Sequence, residues 1–369
     1  MNIDINWLIA LNFFFLLLIQ ITISFIILRR IIRIPYIVRT QKRERYYRTM
    51  GNAFFSRYLR IKGDVFKTYE LFEKLKTYLH VRNKTDRMAL EKVIIEFLER
   101  VDPEDKNIPV QIYEDSDIVG WRITQLRSRN VWTRRKTADI LGKTGSQKAV
   151  KPLILAMRDR DENVRYIAAR ALGKLQATEA IEYLISLFQD LSENKNPVIA
   201  DVLISFGQSA IPYIVQALDN PNQKTRFWVV RALAELDIET GPDNYPQLIQ
   251  KLENILANDE PHIKAYSAVC LAKLNSHENI SNILALLDNP DPDIRVITAG
   301  ALGIMKDPEA IDPLIKTLQD KKWEVNLAAS QALISYGNVI KDKITANLHH
   351  PANIVRKRCR EILEEISPQ

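Results

Sequence analysis

The stretch Asn163-Val164-Arg165-Tyr166-Ile167-Ala168-Ala169-Arg170-Ala171-Leu172-Gly173-Lys174-Leu175 decides the fold, because a near copy follows it. The copy reads Asp293-Ile294-Arg295-Val296-Ile297-Thr298-Ala299-Gly300-Ala301-Leu302-Gly303-Ile304-Met305. Aligned on Arg165, further copies bring Arg134, Ile199, Arg226, Lys264, Arg295, Asn326 and Arg356 into one slot. The successive spacings are 31, 34, 27, 38, 31, 31 and 30 residues. Seven residues after each slot stands a large apolar side chain: Leu141, Leu172, Phe206, Leu233, Leu271, Leu302, Leu333 and Leu363. Self-similarity at a period of roughly 20–50 residues marks a stacked-repeat architecture.

The position before that leucine mostly takes small residues, among them Ala171, Ser205, Ala232, Cys270, Ala301 and Ala332, which let neighbouring helices approach closely. Cys270 therefore reads as a small core residue. Upstream lies a second helical signature, in Val150-Lys151-Pro152-Leu153-Ile154, Ile211-Pro212-Tyr213-Ile214-Val215 and Ile311-Asp312-Pro313-Leu314-Ile315. Proline is tolerated there because the first turn of a helix leaves its N–H groups without an intrahelical partner. Turn residues such as Asp159-Arg160-Asp161 and Asp219-Asn220-Pro221 separate the two helices. Each unit is thus helix, tight turn, helix, with an apolar stripe that only a neighbouring unit can cover.

These motifs resemble the HEAT-like repeats of the phycobilisome-lyase type, with the pattern P-L-I-x-x-L-x-D followed by V-R-x-x-A-A-x-A-L-G-x-L. The resemblance covers about residues 131–366 and implies an all-α, right-handed α-solenoid of HEAT-like helix pairs. The slots at Ile199 and Asn326 have lost the arginine, which interrupts any arginine ladder. Residues 50–115 lack the motif and read as degenerate N-terminal helices capping the solenoid of 116–369. Helices are expected over 64–81 and 85–101, with Asp64 and Thr85 as N-caps.

Residues 7–28 form a run of 22 without a charge. As a helix it would be about 33 Å long, enough to cross a hydrocarbon core of about 30 Å. A short N-terminus, residues 1–6, precedes it, and a basic juxtamembrane segment, 29–49, follows. The leader carries no Lys or Arg and no small-residue cleavage site follows, so an anchor fits better than a cleaved signal peptide. The positive-inside rule then places the N-terminus outside and the repeats in the cytoplasm, as a single-pass protein of the cell membrane. Arg29, Arg30, Arg33, Arg39, Lys42 and Arg43 are the candidate contacts to a membrane surface. Asn12, Gln20 and Ser24 are polar positions inside the span, available to another transmembrane helix.

Residues 1–62 hold eleven basic and two acidic side chains, and the rest of the chain is left at a net charge of −2. A near-neutral repeat region argues against a nucleic-acid partner, which would need a basic face. The five histidines lie at no metal-ligand spacing, and there is no phosphate loop, nucleophile elbow or H-E-x-x-H. No catalytic residue, metal or cofactor is expected. What remains is surface. The residue after the slot is expected to line the concave side: Arg135, Tyr166, Ala200, Phe227, Ala265, Val296, Leu327 and Lys357. Arg170 and Arg231 follow four residues on from Tyr166 and Phe227, and Trp323 stands on a repeat turn.

An apolar trough with polar margins points to a protein partner. Tyr166, Arg170, Phe227, Arg231, Val296, Leu327 and Trp323 are its candidate contacts. The expected function is a membrane-anchored scaffold. Its partner would be membrane-associated, for example an integral enzyme such as a polysaccharide-synthesising glycosyltransferase. The resemblance implies an alternative, a lyase-like protein assisting chromophore attachment.

Overall fold

Helix and turn alternate along the repeat region because each pair of apolar stripes is broken by Asp-, Asn- and Pro-rich turns. The computed structural model describes residues 20–24, 27, 37–39, 41–53, 56–57, 70, 84–238 and 245–366. Most of the 7–28 run, with Asn12, lies outside these residues. So do Arg29, Arg30 and Arg33, and the helix expected over 64–81 apart from residue 70. No strand occurs among the described residues.

Two units are distinguished: residues 1–129 with 143–149, and residues 130–142 with 150–369. In the first, α1 (Lys84–Leu98), α2 (Asn107–Asp115) and α3 (Ile118–Gln125) enclose a buried ion pair, Arg122 with Glu91. The Tyr113 hydroxyl donates to the same carboxylate at 3.1 Å, and its burial, with the negative charge of Glu91, pushes the phenol pKa up. The expected N-cap Thr85 falls inside α1, which already starts at Lys84. Helical residues 41–53 lie along α1. Tyr47 is buried, Arg43 pairs with Asp86, Lys92 with Glu44, and Arg48 with Glu96 at 2.9 Å.

The second unit is the repeat array. Its first-position helices are α5 (Val150–Ala156), α7 (Ile181–Asp190), α9 (Ile211–Ala217), α11 (Pro246–Asn258), α13 (Ile280–Ala285), α15 (Ile311–Thr317) and α17 (Lys341–Ala346). The motif helices are α6 (Glu162–Lys174), α8 (Asn196–Ile204), α10 (Gln223–Glu235), α12 (Pro261–Lys273), α14 (Pro292–Met305), α16 (Trp323–Ser335) and α18 (Asn353–Ile366). They follow α4 (Val131–Thr144). From α6 onward each motif helix packs on the next, and each first-position helix packs on its motif helix. Leu172, Leu233, Leu271, Leu302 and Leu333 of the recurring leucine position are fully or almost fully buried.

No single described helix is long and apolar enough to cross a membrane. The apolar bent pair Glu193–Ile204 and Gly207–Ala217 supplies core instead, with Ile199, Leu203, Ile211 and Ile214 buried.

The slot arginines clip successive turns together. Arg226 donates through Nη1 to the carbonyls of Asn220 and Pro221 in its own turn. Its Nε and Nη2 close on both oxygens of Asp259 at 2.6 and 2.9 Å. Arg295 does the same with Asn289, Pro290 and Asp320. Arg134 holds Asp159 by the same two-pronged edge. Fork-to-fork pairs of this kind are geometrically specific as well as strong.

The motif helices approach closely at Gly303 of α14, where a Cβ would sit 2.8 Å from Ala332 Cα and 2.9 Å from Ala332 Cβ in α16. Backbone cannot yield as a flexible side chain would. Gly303→Ala is therefore expected to cost about 1–3 kcal/mol by overpacking. Urea unfolding followed by circular dichroism reads it, and Gly300→Ala, where a Cβ meets nothing within 4 Å, serves as the control, expected to stabilise the helix by about 0.5–1 kcal/mol.

Candidate functional site

The candidate contact residues on the motif helices fall into three patches. On α6, Tyr166 is half-buried and Arg170 exposed, with the guanidinium 5.7 Å from the ring centroid. The second patch joins α10 to α12. Phe227 packs edge-on against Tyr266 at 5.8 Å, His262 at 6.5 Å and its neighbour Trp228 at 5.1 Å. Arg231 lies over the Trp228 ring at 4.9 Å and donates to Glu235 at 3.3 Å. Burial, partly opposed by the Arg231 charge, pushes the Tyr266 pKa up. Edge-to-face contacts and a cation over an indole fix these rings in place.

The third patch spans α14 and α16. Val296 and Leu327 are half-buried at equivalent positions 31 residues apart. Trp323 is 62% exposed and sits four residues before Leu327, so the two share one helix face. It is the first residue of α16 and not a turn residue. Exposed tryptophan on a rigid element is the residue type most enriched in binding hot spots.

The expected continuous trough is corrected at two points. Ala200 and Ala265 are 4% and 0% exposed, because these small residues sit where adjacent helices close on each other. Polar edges are also partly committed: Arg135 is paired with Asp161 at 2.9 Å. Tyr266 and His262 belong to the central patch but lie outside the slot spacing from which the face was read. Their only sequence signal is being aromatic on a motif helix.

Among the membrane-surface candidates, Arg39 and Lys42 are exposed on helical residues. Arg43 is instead engaged by the buried carboxylate of Asp86. Arg45 and Tyr46 are exposed, and the Tyr46 ring meets buried Tyr47 edge-on at 5.4 Å. Gln20 and Ser24 are helical and exposed, as are Ile21 and Ile23 between them.

Neither cysteine is held as a reactive thiol. Burial pushes the Cys270 thiol up to about 12, and Cys359 is likewise raised by burial. A thiol so held is not a thiolate at neutral pH. Among the described residues no three His, Cys, Asp or Glu side chains gather as a metal would require.

The bilin biosynthesis protein RpcF of Synechococcus sp. (strain WH8020) is 38% identical over 85 residues, 22% of this chain and 37% of that protein. The match thus spans little more than a third of the curated relative. Among solved structures, an engineered protein is 16% identical with a TM-score of 0.36, covering 80% of this chain and 88% of that one. Human deoxyhypusine hydroxylase in complex with glycerol is 17% identical with a TM-score of 0.29, covering 67% and 95%. The HEAT-repeat profile matches residues 121–196, 249–334 and 280–364, together more than half of the chain. On that match, and on the helix pairs that carry it, the chain belongs to the HEAT-repeat family.

Proposed function

We propose that this chain is a non-enzymatic scaffold that holds a protein partner on the concave face lined by its motif helices. In this reading it is tethered to the cell membrane by residues 7–28, with the repeats in the cytoplasm. The observation that carries the reading is the central patch. Phe227 and Tyr266 present aromatic surface that no other described element covers fully, with Arg231 and Glu235 at its margin. Rigid aromatics rimmed by charge form the usual centre of a binding interface.

Two features support the tether. The 22-residue uncharged run is followed at once by arginines. Ile21, Ile23 and Ile27, at its C-terminal end, are exposed apolar side chains on helical residues. Confining scaffold and partner to one membrane raises their effective concentration without new contacts. A membrane enzyme, a glycosyltransferase for example, could then be engaged by span and repeats together.

In-cell crosslinking followed by purification from membranes tests both halves. The full chain is compared with the variant Phe227→Glu/Leu327→Glu and with a chain lacking residues 1–30. The expected result is a protein retained by the full chain, lost with the double substitution and depleted by the deletion. Equal recovery with the double substitution would remove the patch from the proposal. Recovery of no specific protein by any of the three would end the scaffold reading.

The similarity to a bilin biosynthesis protein favours a second reading, a lyase-like role in attaching a chromophore to a protein. Co-expression with a bilin and an acceptor protein distinguishes it, because a covalent adduct keeps its fluorescence after denaturing electrophoresis. Under the scaffold reading no adduct forms above the level seen without this chain.

A further inference from the structure

The second repeat departs from a pattern that the first, fourth and sixth share. In Arg134, Arg226 and Arg295 the Nε and Nη2 edge of the guanidinium is closed by an aspartate of the following turn. Arg165 adopts the same pose on its own turn, with Nη1 donating to the carbonyls of Asp159 at 3.0 Å and Arg160 at 3.5 Å. Its outer edge is different. Nη2 donates to the main-chain carbonyl of Asp190 at 2.9 Å, and Nε is buried without an acceptor.

The cause is visible in the spacing. The step from Arg165 to the next slot is 34 residues where 31 is commonest, and α7 stays helical through Asp190. The Asp190 carbonyl, not its carboxylate, is therefore what meets the arginine. A buried guanidinium N–H without an acceptor is costly, and a carboxylate is the group that satisfies this edge in the three sister repeats.

The same arginine lines a cavity of about 480 Å³. Arg158 stands in its wall with the guanidinium 5.4 Å from the Tyr183 ring centroid. The Ser186 hydroxyl, which donates to the Tyr183 carbonyl, still offers its lone pairs there. Two guanidinium groups and an aromatic wall are the chemistry of a site for an organic anion. A cavity of this size takes one side chain with its flanking backbone.

We propose that this cavity binds a carboxylate, presented as the side chain of an acidic peptide that closes the open edge of Arg165. Arg158 supplies the second positive charge, and Tyr183 packs on the methylenes of the ligand. Arg165 meets the ligand by tilting toward the cavity, since its Nε is sheltered from solvent. A singly charged carboxylate fits better than phosphate, because Asp159 and Asp190 also line the wall and repel a second negative charge. Asp159 is itself neutralised by Arg134. The site goes beyond the scaffold reading and stands or falls independently of the tether and of the Phe227 patch.

The test uses the full-length protein in detergent micelles and the peptide acetyl-Gly-Glu-Gly-amide, with saturation-transfer NMR as the readout. The Glu peptide is expected to bind saturably, and the otherwise identical Gln peptide about tenfold more weakly or not at all. Arg165→Lys, which keeps the charge and loses the fork, weakens binding about tenfold. Arg158→Ala, at an exposed position, weakens it at least about threefold. Ser186→Glu, which places a carboxylate in the cavity in cis, abolishes binding. Equal transfer to the Glu and Gln peptides would overturn the proposal. So would wild-type affinity in both arginine variants, or displacement of the peptide by inorganic phosphate at a concentration equal to its own.

Discussion

Trp228→Ala is expected to lower the unfolding free energy by about 3–5 kcal/mol, the range for removing a large aromatic from a packed core. Trp228 is only 5% exposed although the residue before it, Phe227, is a half-buried aromatic that reaches the surface. Its ring stacks on Phe188 at 6.1 Å with the planes 12° apart, and Phe188 is fully buried. Phe188 belongs to α7 and Trp228 to α10, so the pair ties together helices of successive repeats. A repeat array is stabilised by such neighbour interfaces, and none of its units can compensate for one that is lost.

The indole N–H of Trp228 is buried and has no acceptor among the described residues. Trp228→Phe keeps the stack, removes that N–H and loses some volume, so it should cost under about 1.5 kcal/mol. Phe188→Ala should cost as much as Trp228→Ala. The double variant should be less destabilised than the sum, by about 0.5–1.5 kcal/mol, because the stack can be lost only once. Urea unfolding of all four variants, followed by circular dichroism, measures these differences. A Trp228→Phe variant as unstable as Trp228→Ala would mean that the N–H, not the ring, supplies the stability.

How far the sequence carried the fold is seen at the recurring leucine. A period near 31 and a large apolar residue in each copy fix the phase of most motif helices, but not of α18, where Ile362 is buried and Leu363 only half-buried. Leu141, Leu172, Leu233, Leu302 and Leu333 are accordingly inaccessible to solvent. Phase does not report how near the next helix comes, which is why Ala200 and Ala265 read as trough and are buried. The candidate site was legible only in part for the same reason. Phe227 sits at the slot spacing, but Tyr266 and His262 reach it from α12, 35 or more residues along the chain. Arg43 shows the limit for charge. Counting arginines marks a basic segment, but only the fold shows that one of them faces Asp86.

Arg226→Met should cost about 3 kcal/mol at neutral pH, and the cost should shrink in acid. The Arg226 side chain is 21% exposed and Asp259 is 9% exposed, so the pair sits between a surface bridge and a buried one. The figure of about 3 kcal/mol is the low end for breaking a buried pair, taken because solvent still screens Arg226. Part of the loss is structural, because the same guanidinium holds the carbonyls of Asn220 and Pro221. The rest comes from Asp259. Burial, the largest influence, pushes its carboxyl pKa up. The hydrogen bonds from Arg226 and from the Glu260 N–H, with the charges of Arg226 and Lys264, more than reverse this. The net pKa lies below the ordinary carboxylate value. A group depressed in the folded state stabilises above its unfolded pKa, about 3.9, and that stability disappears as pH falls through the folded value. Without Arg226 the burial effect is left unopposed by the fork, the folded pKa rises, and ionised Asp259 becomes a liability above it. Protonation removes both contributions, so wild type and variant converge as the pH drops. Urea midpoints at about pH 7 and pH 3.5 provide the comparison. A gap that stays constant between the two pH values would show that Arg226 acts only through its turn carbonyls and that Asp259 gains nothing from it. Asp259→Asn separates the two contributions. It removes the titrating charge while leaving the Arg226 turn contacts intact, and its deficit should therefore vanish in acid more completely than that of Arg226→Met.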